Sequence, residues 1–275
     1  MAPVLKEVLK VLDGIAPFSL AEEWDNSGFQ VGFLSDEIRK AVISLDPTIK
    51  CLKIAAERKA QLLLTHHPLI FKPLSRIDTD AYPGDVISEA LRARISIVAL
   101  HTNLDMAKGG INDILAQMIG LQDLEALHKK NDAEDDLEGL GRIGHLPSAM
   151  PLSSVARMIM DTLGSTGLSV TGPADKEIKK IAILGGAGGG ELSCASEKGA
   201  DLFITGDIRH HEALMADALG LALIDAGHFN LERAAMHIFA DHLRDRFKDA
   251  GWDLKLEIYE DEKMPFRHLS RENTF

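Results

Sequence analysis

The sequence predicts an α/β protein built from two related α/β units produced by an internal duplication. Three observations carry this reading. Glu37-Ile-Arg-Lys-Ala-Val-Ile43 aligns with Glu177-Ile-Lys-Lys-Ile-Ala-Ile183, and at the same offset of 140 positions Ala55-Ala-Glu-Arg-Lys-Ala-Gln-Leu-Leu-Leu-Thr65 aligns without a gap with Ala195-Ser-Glu-Lys-Gly-Ala-Asp-Leu-Phe-Ile-Thr205. Pro3 and Pro151 each open an apolar pattern of helical period, carried by Val4, Leu5, Val8, Leu9 and Leu12 in the first case and by Leu152, Val155, Met158, Ile159 and Leu163 in the second. His101-Thr-Asn-Leu-Asp105 and His228-Phe-Asn-Leu-Glu232 each follow directly on an apolar run of strand type. The period is too long for a solenoid, whose unit is about 20–50 residues.

The first unit spans residues 1–127. Its opening helix follows Pro3, and proline suits a first helical turn because its missing N–H would have no partner there. The order then reads strand, helix, strand, helix, strand and a polar motif. Residues 128–138, within His128-Lys-Lys-Asn-Asp-Ala-Glu-Asp-Asp-Leu-Glu-Gly139, are polar and without period, so they read as an exposed acidic loop. The second unit spans 139–248. Gly139-Leu-Gly-Arg-Ile-Gly-His-Leu146 is an apolar stretch punctuated by glycines that reads as a strand entering it, and the order of the first unit then repeats. After Glu232, Arg233–Phe247 forms a long amphipathic helix in which His237 and His242 read as ordinary surface or core histidines. Residues 249–275 form a C-terminal strand and tail: Trp252–Tyr259 alternates apolar and charged residues as a half-exposed edge strand does, and the last dozen residues read as a loose tail or an oligomer arm. A duplication by itself requires no site between its copies. It acquires one only if the polar motifs converge.

Composition narrows the function classes. A chain of 275 residues with 45% hydrophobic and 26% charged content is of soluble globular type and long enough for one large or two ordinary cores. No apolar run reaches the roughly 20 residues that span a bilayer, and Lys6, Glu7 and Lys10 interrupt any secretory pattern at the N-terminus, so the cytoplasm is the expected compartment. Cys51 and Cys194 lack any CxxC spacing and read as small hydrophobes of a reducing compartment. A net charge of -12 argues against a nucleic-acid backbone as partner, because such backbones are bound by clustered Lys and Arg; an acidic field attracts metal cations instead.

The chemistry-bearing residues point the same way. His66 and His67 end the apolar strand that runs to Thr65. Adjacent side chains on an extended chain face opposite ways, so the pair is suited to two ions side by side rather than to one. His228 and Glu232, spaced i, i+4, approach one spot if the chain turns into a helix near Asn230. Asp105 reads as loop-mounted, because Met106-Ala-Lys-Gly-Gly110 intervenes before the next helix. One tetrahedral ion needs about four ligands, and the surplus fits two metals bridged by a carboxylate. The glycine cluster Gly185–Gly190 fails the dinucleotide fingerprint, since Glu191 stands where a glycine is needed, and it fails the P-loop for want of a lysine. It remains either an anion-holding turn or a turn required by close packing. In Thr205-Gly-Asp-Ile-Arg-His-His-Glu212, Asp207, His210 and His211 are candidates to line the same cavity, with His211 the expected proton shuttle, unless Thr205 or Asp207 serves as a helix cap.

Taken with Ala21-Glu-Glu-Trp-Asp-Asn-Ser-Gly-Phe-Gln-Val-Gly32, Thr65-His-His-Pro68, Gly139-Leu-Gly-Arg-Ile-Gly144 and Gly227-His-Phe-Asn-Leu-Glu232, these motifs cover most of the chain. The chain resembles the Nif-three-like dinuclear-metal proteins, often labelled GTP cyclohydrolase I type 2 homologues. The resemblance implies the Nif-three-like fold, a hexameric ring and two divalent ions per subunit, whether zinc, iron, manganese or nickel. It assigns His66 and His228 to one ion, His67 and Asp105 to the other, and Glu232 to both. It places His101 behind the metals, where with His211 it is a candidate catalytic residue. Longer members carry an inserted domain where this chain has only the acidic loop. The implied activity is a metal-dependent hydrolase acting on a small molecule such as a nucleotide; a metal carrier and a metal-stabilised interaction scaffold are the alternatives.

Overall fold

The computed structural model describes residues 2–130 and 135–266. Part of the expected acidic loop and most of the expected tail therefore lie outside the described residues. In chain order the elements are α1 (Leu5–Ile15), β1 (Gly28–Val31), β2 (Lys40–Ser44), α2 (Ile49–Glu57), β3 (Leu62–Thr65), α3 (Gly84–Ala93), β4 (Ser96–Ala99), α4 (Thr102–Met106) and α5 (Ile111–Met118). There follow β5 (Gln122–Lys129), β6 (Gly139–Pro151), α6 (Leu152–Leu163), β7 (Ser169–Thr171), β8 (Glu177–Ala187), α7 (Leu192–Glu197), β9 (Leu202–Gly206), α8 (His210–Ala218), β10 (Ala222–Asp225), α9 (His228–Asp249) and β11 (Lys255–Ile258).

The strands form two sheets, of order β1-β4-β3-β2-β11 and β5-β6-β8-β9-β10-β7. The duplication is visible down to register. Ala41 of β2 pairs with Leu62 of β3, and Ile181 of β8 pairs with Leu202 of β9, the same offset of 140 that relates the two sequence segments. In both halves a short strand, β1 or β7, runs antiparallel along the last parallel strand, β4 or β10.

Alternation along the strands explains their continuous apolar runs. Ile43, Leu62, Leu64 and Val98 face inward to a core shared with Ile181, Ile183, Leu202 and Ile204 of the other sheet, where α1, α5, α6 and α9 supply Leu5, Leu12, Ile114, Val155, Leu231 and Phe239. Val42, Leu63 and Ile97 face outward and are covered by Leu52 and Ala55 of α2 and by Val86 and Ala90 of α3. Ala182, Leu184 and Phe203 are covered in the same way by Leu192, Ala195 and Ala216 of α7 and α8. Strands buried on both faces can carry no polar alternation, which is how parallel sheets read in sequence.

Two strands cross between the halves. β5 pairs with β6 in the second sheet, so the unit boundary read at residue 127 falls inside a strand. β11 returns to the first sheet and pairs in parallel with β2 as its edge. Neither crossing has a local sequence signal, because a strand's partner is chosen by the surface it completes and not by its own pattern. No helix among the described residues is long and apolar enough to cross a membrane.

Candidate metal centre

The two sheets present the ends of their central parallel strands to one another, and the polar motifs meet there. β3 ends at Thr65 and the chain bends at His66 and His67, where the His66 amide donates to the Ser44 carbonyl and the His67 amide to the Leu45 carbonyl. The bend brings the two imidazoles side by side instead of to opposite faces as on a regular strand, with ring centroids 5.1 Å apart. From the second half, α9 begins at His228 itself rather than near Asn230, so His228 and Glu232 sit one helical turn apart at its start. Asp105 is not on a loop. Thr102–Met106 closes into the short helix α4, with the Leu104 and Asp105 amides donating to the His101 carbonyl, and the glycines that suggested a loop come only after it.

Each imidazole has its Nδ1 held. His66 Nδ1 lies 2.7 Å from the Leu100 carbonyl oxygen, His67 Nδ1 2.7 Å from Asp46 Oδ1, His101 Nδ1 2.7 Å from Asp25 Oδ1, and His228 Nδ1 2.8 Å from Asp207 Oδ2. An acceptor at Nδ1 fixes the ring and its tautomer, leaving Nε2 as the lone-pair nitrogen; this is the arrangement that orients histidine ligands. His67 Nε2 and His228 Nε2 are 3.2 Å apart, and Glu232 Oε2 lies 3.1 Å from the first and 2.9 Å from the second. A tetrahedral ion with bonds of about 2.0–2.1 Å separates its ligand atoms by about 3.3 Å, so these three atoms fit one face of such a site. His66 Nε2 lies on the other side, 3.5 Å from Glu232 Oε1 and 3.7 Å from Asp105 Oδ1.

His66 Nε2 and Asp105 Oδ1 are buried without a hydrogen-bond partner. Buried polar atoms are almost always satisfied, and leaving two together unpaired is costly unless they face a cation. The residues therefore fit a metal ion. By distance His66 stands with Asp105, and His67 with His228, while the two oxygens of Glu232 divide between the sets.

The charges agree with this grouping. Burial opposes ionisation of Glu232, but the surrounding His66, His228 and His67 hold its carboxyl well below the usual range. Burial also works against a charge on His67 and His228, yet Asp46 and Glu232 raise His67 to about 10, and Glu232 with Asp207 raises His228 to about 9. Asp105 is pushed up to about 7, chiefly by burial. Each raised histidine is a site where a proton and a metal ion compete.

His101 stands nearer than expected. Its ring centroid lies 5.2 Å from that of His66 and 5.6 Å from that of His67, and the three offer nitrogens within 4.8 Å of one another. Asp25 below it also accepts from Ser27 Oγ and Thr102 Oγ1, at 2.6 Å each, and these contacts with His101 hold its carboxyl low despite burial. His210 and His211 are exposed at the start of α8, and among the described residues neither forms a hydrogen bond with the cluster. That helix is capped by Glu212, whose carboxylate accepts from the Arg209 amide, and not by Thr205 or Asp207. Asp207 serves His228 instead.

Further residues hold the halves in register. Asn112 donates to the Asp105 carbonyl and accepts from the Gly185 amide, joining α5 to β8 beneath the cluster. Arg142, fully buried, donates to Asp113 and to the carbonyls of Ala107, Gly139 and Gly141. Close approach accounts for two glycines of the cluster. Gly186 has a φ of +74°, and a Cβ there would lie 2.7 Å from Glu232 Oε1; at Gly188 it would run into Thr205 Oγ1. Asp25 and Asp46 were not singled out in the sequence, since an acceptor that aims a ligand across the fold keeps no fixed spacing to it.

Comparison with known proteins places this geometry in context. The family model described as Duf34/NIF3 (NGG1p interacting factor 3) matches residues 3–265. A GTP cyclohydrolase 1 type 2 homolog from Clostridium perfringens is 33% identical over 96% of this chain and 99% of its own length. A protein named GTP cyclohydrolase 1 type 2 from Helicobacter pylori is 34% identical over 87% of this chain and 91% of its own. The crystal structure of a Bacillus cereus protein related to NIF3 superposes with a TM-score of 0.90 at 26% identity, over 98% of this chain and all of that one.

Proposed function

The chain belongs to the Duf34/NIF3 family, and on that premise we propose that it is a dinuclear-metal-dependent hydrolase of a small molecule, with a nucleotide as the substrate class that the names of its relatives suggest. The observation that carries the reading is the division of Glu232, whose Oε1 faces His66 while Oε2 faces His67 and His228. His66, Asp105 and Glu232 would hold one ion; His67, His228 and Glu232 would hold the other. Divalent ions bound there supply Lewis acidity, lowering the pKa of a water toward about 7 and stabilising a developing oxyanion. Imidazole and carboxylate ligands accept zinc, iron, manganese or nickel without strong choice among them.

The chain's own residues supply the rest. Asp25 holds the Nδ1 proton of His101, so His101 Nε2 is the atom that can take a proton from an attacking water and return it to a leaving nitrogen or oxygen. Asp46 and Asp207 fix the tautomers of His67 and His228, keeping both Nε2 lone pairs aimed inward. His211 has no part in this scheme. The proposed assembly is the hexameric ring.

The test is activity of the metal-loaded protein on GTP and on a panel of cyclic amides and phosphoesters. We expect turnover of at least one, lost in Glu232→Gln; full metal occupancy with no turnover on any contradicts the proposal. A metal-stabilised scaffold draws on the same observation, because the ligands come from both halves. It predicts that Glu232→Gln lowers Tm as far as metal removal does, with no separate functional defect.

A further inference from the structure

Beside the ligand cluster lies an aromatic surface that metal binding does not use. Trp24 is 58% exposed and Phe71 47% exposed, with ring centroids 5.8 Å apart and planes inclined at 56°. Both rings also meet His101, Trp24 at 6.0 Å and Phe71 at 6.4 Å, each in an edge-to-face arrangement. The three rings form a wall that starts at the cluster, where His101 stands beside His66 and His67, and runs outward to solvent.

This wall is built, not incidental. Trp24 and Phe71 come from separate segments that are tied together by polar bonds at their bases. Asn26 Nδ2 donates to the Ile70 carbonyl at 2.6 Å, the Ile70 amide donates to Gln30 Oε1 at 3.1 Å, and Gln30 Nε2 donates to the Asn26 carbonyl at 2.6 Å. The position of His101 is set independently by Asp25. Tryptophan is highly buried on average, and two large rings held more than two-fifths open beside a polar cluster present apolar faces without covering them.

We infer that Trp24 and Phe71 form the ring-binding subsite of the substrate, taking a planar heteroaromatic group such as a purine base. The indole and phenyl planes are inclined at 56°, so a flat ring stacks on the open face of Trp24 and meets Phe71 along its edge, at the centroid separations of about 4.5–7 Å that aromatic pairs favour. A ring on that face lies beside His101, whose Nε2 is the atom assigned to proton transfer. Stacking reads the π-face that every base has, so the wall selects for flatness and leaves the identity of the base to other contacts. This inference rests on the hydrolase reading, since it places the reacting ring at that centre.

The test uses the intact metal-loaded protein and intrinsic fluorescence, with GTP, guanosine and ATP as ring probes and inorganic tripolyphosphate as the control without a ring. The chain has two tryptophans, and Trp252 is packed against Phe247. Saturable quenching by the ring probes is expected, absent in Trp24→Ala, with Kd for the ring probes measured calorimetrically about tenfold or more weaker. Trp24→Phe should restore most of the affinity, and metal content and assembly size should not change in either variant. Ring-probe affinity within twofold of wild type in Trp24→Ala overturns the inference, as does absence of binding by every ring probe. Loss of assembly in Trp24→Ala also overturns it, by making Trp24 a subunit contact. Trp24-dependent binding without turnover sinks the hydrolase reading and leaves the subsite; turnover of ring-free phosphoesters with no effect of Trp24→Ala does the reverse.

Discussion

His67 Nε2 and His228 Nε2 face each other at 3.2 Å although 161 residues separate them in the chain. With both Nδ1 atoms already engaged by Asp46 and Asp207, the two Nε2 atoms are aimed at one place, where protons and a metal ion compete. Glu232 Oε2 completes the triangle.

Glu232→Gln is expected to reduce bound metal at both positions, because the carboxylate serves both ligand sets, whereas Asp105→Asn should deplete only the ion beside His66. Elemental analysis after equilibration with a limiting chelator reads the difference. Equal loss from the two substitutions would contradict the division of ligands described above.

Metal affinity should rise with pH. His67 and His228, near 10 and 9 in the metal-free protein, must each give up a proton before Nε2 can coordinate. Binding at pH 7.5 should therefore release protons, detectable by calorimetry in buffers of different ionisation enthalpy. The stability of the metal-free protein runs the other way. Because these values lie above the unfolded value of 6.5, the stabilisation they give is complete below that pH and is lost as pH rises through 9 and 10. Asp105, raised to about 7 from 3.8, removes further stability between those values. A metal-free Tm that climbs from pH 7 to pH 10 would refute this pairing of charges.

Asp25→Asn keeps the size of the side chain but removes the carboxylate that orients His101. Metal content should be retained and kcat should fall by about 10–100-fold, the usual cost of losing such a partner. An unchanged kcat, or a change confined to KM, would remove His101 from the proton path.

Gly186→Ala should weaken metal binding, since a Cβ at φ +74° meets Glu232 Oε1 at 2.7 Å. Gly190→Ala, with open space around its Cβ, should have no effect on it. If both substitutions leave metal content unchanged, the cluster of glycines has a purpose other than making room for that carboxylate.

Much of this was legible in the sequence for physical reasons. Strands such as Lys40–Ser44 and Glu177–Ala187 must satisfy apolar neighbours on both faces, so the two copies could not drift far in pattern, and their shared offset survives as shared register. The histidine pair after Thr65 and the i, i+4 spacing of His228 and Glu232 are local, and local constraints leave local marks. What was not legible depends on distance. Asp25 orients His101 from 76 residues away, and only the fold brings them together. The proposed pairing of ligands rests on distances between side chains of both halves, which the sequence does not carry. Asp105 was read as loop-mounted because glycines near a residue outweigh the single helical turn that carries it.

The central claim is that Glu232 bridges two ions, one held with His66 and Asp105 and the other with His67 and His228. Anomalous diffraction from crystals of the metal-loaded protein tests it most directly. Two anomalous peaks are expected, one on each side of the Glu232 carboxylate, with His67 and His228 sharing a peak. A single peak, or two peaks with His66 and His228 on the same ion, would contradict it.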